Sequence, residues 1–513
     1  MKKIVIVIIS ISLFSYAFSQ ESAIRKIVEM GNSDNQVMRH LDVLTNRFGG
    51  RPVGSDAYSN AAEWLAGEYR RWGLEVEMHE AGSVPVGFNR GAWFGRMLGG
   101  DVAMNLHFVT PSYTSGTKGL QRGHVVHEPK SREEFNRMKQ ALKGAWVLIG
   151  GKSSGWAIDR SASGFARRDS IVAVNDAKEQ RNAALRSRNR GTDLKDSLET
   201  LYEEPALYLN EMMTAGILGT IQAAPVPLVA LYDYNLVRDS LLTFDRLPEL
   251  PDIKLDIHQY DVISQMVTER RVFELEFDIR NHFKPGPVKY YTVIGKLKGY
   301  KYPDEYVIMS GHLDSFDAAT GGVDCGSGLS SVIEAARMIA LSGAKPKRSM
   351  LFIAFAAEEF GLLGAKAWVR DNKRLLGKIS NVFNRDGGPL APVKLNVHPS
   401  AYKDFVEICK PVKNIGRSFP FEVTEIKEVR NRPQRTGGTD ATVFAVEGVP
   451  TITFQEEDVN GYNFSYGEIW HSERDLYTKS IPEYQEYAAT VMAITALGVA
   501  NLDHLLSREG MYK

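Results

Sequence analysis

Beyond Val288, short runs of apolar residues alternate with segments of helical periodicity. Tyr306 to Ser310 and Met350 to Phe355 are apolar almost throughout, which is typical of strands buried on both faces of a sheet. Between these runs, Leu329 to Ile339 places apolar residues at helical spacing, and Gly343 follows as a C-terminal cap. This alternation predicts an α/β fold with helices on the faces of a sheet.

The residues before this region are organised differently. Ala61 to Tyr69 has helical periodicity, and Leu74 to Met78 alternates like a strand. From about Thr117 to Gln265, short strand-like runs are separated by long polar stretches, which indicates an inserted domain. Within it, Lys178 to Lys195 is expected to be a solvated loop or helix face. We therefore divide the chain into residues 1–19, a signal peptide, 20–116, the N-terminal part of the main domain, 117–265, the insert, and 266–513, the rest of the main domain.

The first residues have the organisation of a secretory signal. Lys2 precedes an apolar run from Ile4 to Phe14, and small residues allow cleavage after Ser19. The run is too short to cross a bilayer, and an uncleaved anchor is the alternative. We expect a secreted or periplasmic protein without a transmembrane span after cleavage. That location would permit a Cys325–Cys409 disulfide, which nothing else in the sequence indicates.

Charge and cysteine content exclude several kinds of function. Lys and Arg number 62 and Asp and Glu also number 62, so the formal net charge is zero. No cationic surplus is available to neutralise phosphates, and nucleic acid is not an expected partner. Two cysteines are too few for a disulfide scaffold or for a metal cluster held by cysteines alone.

Five segments carry histidine or acidic side chains where predicted strands end and loops begin. In open α/β sheets, ligands bind at that edge. The segments are Ser310–Ser315 with His312 and Asp314, Gly322–Gly328 with Asp324, Ala356–Gly361 with Glu358 and Glu359, Asn384–Gly388 with Asp386, and Ile469–Asp475 with His471.

The adjacent pair Glu358 and Glu359 is the most informative of these features. Two carboxylates after a buried strand are costly, because burial disfavours charge and like charges repel. A metal ion can hold one carboxylate while the other accepts a proton, which assigns Glu359 as ligand and Glu358 as general base. The structural alternative is that both glutamates cap the next helix, but it leaves the apolar strand and Gly361 unexplained.

The other residues are ambiguous when each is considered alone. His312 has a structural alternative, and Asp324 stands where an N-cap aspartate is common. The Asp314 carboxylate is expected to orient the imidazole two residues before it. Cys325 is expected to pack as a small side chain rather than to bind a metal ion.

The combined set has the chemistry of a metal pair. Nitrogen and oxygen donors suit zinc, and a shared aspartate can bridge two ions about 3.5 to 4 Å apart. The sequence therefore predicts a hydrolytic site with two zinc ions per chain. The predicted ligands are His312, Asp324, Glu359, Asp386 and His471, with Asp324 as the bridge.

At these residues the sequence resembles metallopeptidase family twenty-eight, the co-catalytic zinc exopeptidases. The family's order of His-x-Asp, bridging Asp, Glu-Glu, Asp and His matches His312 and Asp314, Asp324, Glu358 and Glu359, Asp386, and His471. The resemblance implies a three-layer fold with a mixed central sheet flanked by helices. It also implies one zinc ion bound by His312, Asp324 and Asp386, and another bound by Asp324, Glu359 and His471.

Further segments resemble the same family. Leu44 to Ser55 is similar to its N-terminal element and Tyr291 to Gly299 to the first part of its catalytic sheet. Gly437 to Asp440 and Gly448 to Pro450 make the carboxypeptidase Q branch the nearest comparison. Through Ala215 to Gly219, the insert resembles a mainly β protease-associated domain.

The resemblance implies a secreted exopeptidase that hydrolyses terminal bonds of short peptides or dipeptides. Carboxypeptidase, dipeptidase and aminopeptidase activity all stay open, as does assembly into a homodimer. Two alternatives belong to other classes: a non-catalytic binding protein on the same scaffold, and a glutaminyl cyclase that uses one zinc ion. The complete ligand set disfavours both.

Recognition of a chain terminus requires charged or aromatic residues near the metal ions. Arg385 and Arg435 are candidates for binding a terminal carboxylate, although surface ion pairing is the commoner role of an arginine. Candidates for a side-chain pocket are Tyr462, Phe464, Tyr466 and Trp470, with packing inside an aromatic loop as the alternative.

Overall fold

The computed structural model describes residues 21–99, 103–158, 162–189, 198–199, 201–202, 205–232, 242–416 and 419–513. The signal predicted at residues 1–19 lies outside these ranges. Within them, no helix combines the length and the apolar character needed to cross a membrane.

A seven-stranded mixed sheet forms the centre of the main domain, which confirms the predicted α/β class. Its order is Ile379–Asn384, Tyr302–His312, Arg348–Phe355, Glu274–Leu297, Glu75–Leu98 and Met104–Asn105, with Gln121–Gly123 also paired to Glu274–Leu297. Tyr302–His312 is parallel to both of its neighbours, whereas the remaining pairs are antiparallel. The three parallel strands end at one edge, so the residues that follow them meet there.

Helices pack on both faces of this sheet. In strand Arg348–Phe355, Met350 and Phe352 belong to one apolar core, and Leu351 and Ile353 belong to another. The helices of the main domain are residues 21–33, Val37–Asp42, Asp56–Arg71, Gly326–Leu341, Leu363–Asp371, Pro399–Ile408, Ala441–Val446, Tyr466–Ile469 and Pro482–Ala500. Short helical turns are Val43–Phe48, Lys373–Lys378, Lys410–Asn414 and Tyr477–Lys479, and a small sheet contains Glu422–Glu425, Ala391–Val397 and Phe454–Glu457.

The insert is a second α/β unit with a sheet of its own. The strand order is Phe108–Val109, Asp252–Asp256, Gly219–Ala224, Trp146–Lys152 and Val125–His127, and only the first pair is antiparallel. Its helices are Arg132–Leu142, Ala162–Asn189, Leu209–Ala215 and Ile257–Thr268, with a short turn at Phe244–Arg246. The insert is therefore richer in helix than the mainly β unit that the sequence predicted.

Packing of the insert extends beyond the bounds 117–265. Its apolar core includes Met97 and Phe108 from before the insert, and Leu275 and Phe277 from after it. The Trp146 indole donates a hydrogen bond of 3.1 Å to the main-chain oxygen of Leu275. The two long strands Glu75–Leu98 and Glu274–Leu297 thus belong to the central sheet and to the packing of the insert at once.

Candidate active site

Three predicted ligands meet at the edge where the parallel strands end. His312 is the last residue of strand Tyr302–His312, and Asp386 follows strand Ile379–Asn384. Asp324 lies in the loop before the next helix. The Nε2 atom of His312 is 3.1 Å from Asp324 Oδ1 and 3.2 Å from Asp386 Oδ1. One imidazole nitrogen therefore faces two carboxylate oxygens.

Glu359 and His471 meet on the other side of Asp324. The Nε2 atom of His471 is 3.1 Å from Glu359 Oε2 and 3.6 Å from Asp324 Oδ2. Asp324 directs one oxygen toward His312 and the other toward His471. The second oxygen also accepts a hydrogen bond of 3.2 Å from the Tyr466 hydroxyl. The structure thus brings all five predicted ligands together around one central aspartate.

The contact predicted for the Asp314 carboxylate requires a correction. His312 Nδ1 is 2.9 Å from the main-chain oxygen of Asp314, but 3.8 Å from carboxylate Oδ1. The imidazole is therefore oriented by a main-chain carbonyl. The carboxylate instead accepts hydrogen bonds of 3.1 Å from the main-chain N–H groups of Glu358 and Glu359. Asp314 fixes the turn that presents the glutamate pair.

The backbone is in an unfavourable conformation at two points of the site. Ala357, directly before Glu358, and His471 both have a φ of 55°. Residues other than glycine rarely adopt this left-handed region, because the Cβ atom crowds the backbone. Such residues are concentrated at functional sites, where the surrounding structure enforces them.

Acidic groups outnumber basic ones in this buried site. Burial, and then the negative charge of Asp324, raises the pKa of Glu359 well above its usual value. Burial alone would lower the pKa of His312, but the acidic groups of Cys325, Asp386 and Asp324 raise it well above the ordinary range. Both shifts arise because several acids share a small volume with few compensating charges. A bound divalent cation would supply that compensation.

The donor set fits a metal ion. Glu359 Oε1 is buried and has no hydrogen-bond partner among the described residues. Ligand atoms of His312, Asp324 and Glu359 lie within 4.8 Å of one another, as do those of His312, Cys325 and Asp386. Imidazole nitrogen and carboxylate oxygen are the donors that zinc accepts in catalytic sites.

Cys325 contacts this cluster as a thiol. Its Sγ atom donates to the main-chain oxygen of Arg385 at 3.2 Å, and burial raises the pKa of the thiol. Cys325 and Cys409 are both free and buried. The disulfide that an oxidising compartment would permit is therefore not formed.

Asp475 and Asp440 belong to the site although no role was predicted for either carboxylate, and Tyr466, predicted only as a candidate for the side-chain pocket, contacts Asp324 through its hydroxyl. Asp475 accepts hydrogen bonds from the main-chain N–H of Val323 at 2.6 Å and of Asp324 at 3.3 Å, which holds the loop of the central aspartate. Asp440 is 1% exposed, and neither carboxylate oxygen has a hydrogen-bond partner among the described residues. The sequence signals were present, since Asp475 ends the fifth acidic segment and Asp440 follows a Gly-Gly-Thr run.

Arg51 joins the N-terminal part of the domain to the site. The side chain is fully buried and donates to the main-chain oxygens of Leu44 and Leu313 at 2.8 Å each and of Thr320 at 2.9 Å. The loops on either side of the Asp314 turn are thereby tied to one guanidinium group.

Arg385 is buried among protein acceptors. Its guanidinium donates to Glu456 at 2.7 Å, to the Ser331 hydroxyl at 2.6 Å and to the main-chain oxygen of Leu390 at 3.0 Å. These contacts hold loops together, and they leave a role in binding a substrate carboxylate without structural support. Arg435 is exposed on the loop before Gly437.

The aromatic candidates occupy two different pockets. Trp470 stacks on His471 with ring centroids 4.0 Å apart and lines the cleft described below. Tyr462 is 54% exposed, donates to Glu483 at 2.7 Å and lines a pocket of about 490 Å³ with Phe464. Trp470 is therefore beside the ligands, whereas Tyr462 lines another pocket.

A cleft of about 670 Å³ gives access to the site. Glu358, Glu359, His471 and Trp470 line it from the main domain. The insert lines it as well, with residues that include Trp156, Asn182, Arg186, Leu198, Val229 and Leu231. A molecule that enters the cleft would contact both units.

The insert is attached to the loop that carries His471. The main-chain N–H of Glu473 donates to the oxygen of Leu228 at 2.9 Å, and the Leu228 N–H donates to the Glu473 carboxylate at 3.1 Å. The His107 ring lies between the carboxylates of Asp256, at 3.1 Å, and Glu473, at 2.6 Å. These contacts fix one wall of the cleft relative to a ligand.

Comparisons with known proteins find similarity to one peptidase family. Residues 292–495 match peptidase family M28. The chain is 27% identical to carboxypeptidase Q of Mus musculus over 316 residues, which cover 60% of this chain and 64% of the mouse protein. The chain thus spans less than two thirds of that relative's length.

Solved structures show the same fold. A peptidase M28 precursor from Shewanella amazonensis superposes with a TM-score of 0.57 at 19% identity, covering 96% of this chain and 99% of that one. A zinc aminopeptidase from Bacillus subtilis superposes with a TM-score of 0.50 at 16% identity, covering 90% and 93%.

Proposed function

We propose that this chain, whose residues 292–495 match peptidase family M28, is a zinc-dependent exopeptidase acting on terminal bonds of short peptides or dipeptides. The donor set of the site supports zinc. The B. subtilis protein of the same fold is a zinc aminopeptidase, and the mouse relative carries the name carboxypeptidase. Both names are those of enzymes that remove terminal residues.

The observation that carries the proposal is the position of Asp324 between two groups of ligands. One oxygen faces His312 and Asp386, and the other faces His471 and Glu359. A carboxylate placed in this way suits a bridge between two cations. We propose two zinc ions per chain, one bound by the His312 group and one by the His471 group, with Asp324 shared.

Glu358 is the proposed general base, because it lines the cleft beside the ligand Glu359. When bound, the zinc ions lower the pKa of a water molecule and polarise the substrate carbonyl. Glu358 takes a proton from the water as its oxygen attacks the carbonyl carbon. The same carboxyl group then delivers the proton to the amine nitrogen as the C–N bond breaks. Asp314 keeps Glu358 in place through the hydrogen bonds to the turn.

Two other functions share parts of this arrangement. A single-zinc cyclase needs one ligand group, and a binding protein needs none. Here both groups lie around Asp324, and Glu358, Glu359 and His471 line one cleft. Aminopeptidase activity is the second candidate within the same class, and the fold shared with the B. subtilis aminopeptidase favours it.

The test combines metal analysis with peptide hydrolysis. We expect close to two zinc ions per chain and cleavage of dipeptides or of blocked short peptides at one end. A ratio near one with cyclisation of N-terminal glutamine would support the cyclase instead. Absence of bound metal together with absence of hydrolysis of any peptide would refute the proposal that the protein is an enzyme.

We also propose that residues 1–19 direct export and are removed, so that the enzyme acts in the periplasm or outside the cell. Edman sequencing of the exported protein is expected to begin at Gln20. Retention of Met1 would show that the segment is an anchor or is not recognised.

A further inference from the structure

We propose that Lys366 binds the free α-carboxylate of the residue that is cleaved off, which makes the enzyme a carboxypeptidase or dipeptidase. This inference rests on the proposed function and specifies its substrate class. It concerns a residue on the wall of the cleft rather than one of the metal ligands.

Lys366 lies close to the turn that carries the proposed base. It is the fourth residue of helix Leu363–Asp371, and its Nζ atom donates to the main-chain oxygen of Gly361 at 2.8 Å. The N–H of Gly361 in turn donates to the main-chain oxygen of Glu358 at 2.8 Å. The ammonium group is thus folded back over the turn that presents the base. Lys366 also lines the same cleft as Glu358.

No ion pair with the described residues accounts for the position of the lysine, although its charge acts on the buried Asp440 carboxyl and partly offsets the rise in that group's pKa. The first turn of a helix carries the positive end of the helix dipole, so a cation there is unfavourable. No carboxylate of the described residues is within ion-pair distance of the Lys366 ammonium, and the residue is exposed.

Acidic residues of the insert in the same cleft do have partners. Glu179 is 3.6 Å from the Arg186 guanidinium, and Glu199 pairs with Arg181 at 2.5 Å. Asp440 has no hydrogen-bond partner among the described residues, but its side chain is 1% exposed and Lys366 already acts on it electrostatically. Apart from the proposed base Glu358 and the proposed ligand Glu359, the charge on the cleft wall is therefore better suited to a substrate anion than to a substrate ammonium group.

The chemistry of the reaction places the substrate anion on the same side. Glu358 returns its proton to the leaving amine, so the departing residue must lie next to Glu358. In a carboxypeptidase or dipeptidase, the free carboxylate is attached to the same Cα atom as that amine. A cation beside the base can therefore contact it directly. An aminopeptidase would need an anion on the other side of the scissile bond.

The test compares N-acetylated dipeptides with a free C-terminal acid and with a C-terminal amide, on zinc-loaded enzyme. The wild type is expected to cleave the acid at least tenfold faster in kcat/KM. Lys366→Met keeps the aliphatic stem and removes the charge. It should raise KM for the acid by about 10- to 100-fold, the worth of one charge-assisted hydrogen bond, and change cleavage of the amide much less.

Two further variants complete the design. Lys366→Arg retains a cation and should keep most of the preference for the acid. Lys403→Met removes an exposed lysine from helix Pro399–Ile408 and serves as the matched control without effect. Calorimetric binding of the free product amino acid to the zinc-loaded enzyme should weaken in Lys366→Met and stay unchanged in Lys403→Met.

The outcomes separate this inference from the proposed function. Equal cleavage of acid and amide by the wild type, a requirement for a free N-terminus, or an undiminished preference in Lys366→Met would each overturn the role of Lys366. Hydrolysis of peptides would still be intact in those cases. If the wild type cleaves no peptide at all, the proposed function is wrong, and the role of Lys366 is wrong with it.

Discussion

Buried acids and bases are matched in pairs in the insert, whereas acids outnumber bases at the candidate metal centre. In the insert, Lys254 Nζ is 3.1 Å from Asp252, and Arg168 is 2.6 Å from Glu128. At the metal centre, Asp314, Asp324, Glu358, Glu359 and Asp386 surround two histidines. Buried ions are costly unless they are compensated. The insert carries the compensation in its own sequence, whereas the metal centre depends on cations from solution.

Removal of metal should have the largest effect on activity and stability, and the loss of stability should be confined to the main domain. Chelation is expected to abolish peptide hydrolysis and to lower the free energy of unfolding by about 4 kcal/mol for zinc present at 1,000 times its Kd. The cause is the loss of positive charge among the site carboxylates. Thermal unfolding with EDTA, and then with zinc restored, measures both effects. An unchanged Tm and unchanged activity would contradict the claim that the site carboxylates need a bound cation.

Glu358→Gln should separate catalysis from metal binding within that site. Loss of a general base is expected to reduce kcat by about 10²- to 10⁴-fold. Zinc content should remain as in the wild type, because Glu358 is not one of the proposed ligands. Steady-state kinetics and metal analysis of the same preparation measure this. Glu407→Gln, at an exposed glutamate on helix Pro399–Ile408, is the matched control.

Lys254→Met should leave a buried negative charge uncompensated in the insert, as the carboxylates of the metal centre are uncompensated without a cation. Asp252 would then keep a buried charge without its lysine, at a cost of about 3 to 5 kcal/mol. Urea unfolding measures the loss, while zinc content and activity per folded molecule should not change. Adding Asp252→Asn removes the stranded charge and should recover part of the stability. A loss below about 1 kcal/mol would show that the pair is not needed.

The smallest effect on stability is expected from substitution of His107, which lies where the two units meet. Burial alone would lower its pKa, but the hydrogen bonds with Asp256 and Glu473 raise it above 6.5. A raised pKa means that this contribution to stability is complete below pH 6.5 and is lost as the pH rises through the folded-state pKa.

Because the ring is 42% exposed, the contribution should stay below about 1 kcal/mol. The measurement is the Tm difference between wild type and His107→Gln from about pH 5.5 to 8.5. A difference that grows toward high pH would contradict the assignment.

The strand ends explain which site residues were predictable from sequence. His312 and the Glu358–Glu359 pair follow the apolar runs Tyr306–Ser310 and Met350–Phe355, whose ends could be located in the sequence. Two adjacent buried carboxylates are also energetically unfavourable without a compensating partner. The contacts of Asp314 and Arg385 were not predictable. They depend on the path of the loop after each strand, which decides whether a main-chain or side-chain group is nearer.

The long helix of the insert shows another limit of sequence patterns. Lys178 to Lys195 was interpreted as a solvated loop or helix face, and its described part lies in helix Ala162–Asn189. This helix is held by amide side chains. Asn182 exchanges two hydrogen bonds of 2.7 Å with the main chain of Glu199, and Asn175 bonds the main chain of Tyr202 in the same way. Apolar periodicity gives no signal for such contacts.

The cleft is lined by residues of the main domain and by residues of the insert. The proposed ligands and base belong to the main domain, while Trp156, Asn182 and Leu231 come from a unit with its own core. Mutations in the insert are therefore expected to change which molecules fit between the two units without altering the residues proposed for hydrolysis. Substrate selection and catalysis would then be encoded by separate segments of the polypeptide. Each property could change during evolution while the other is retained.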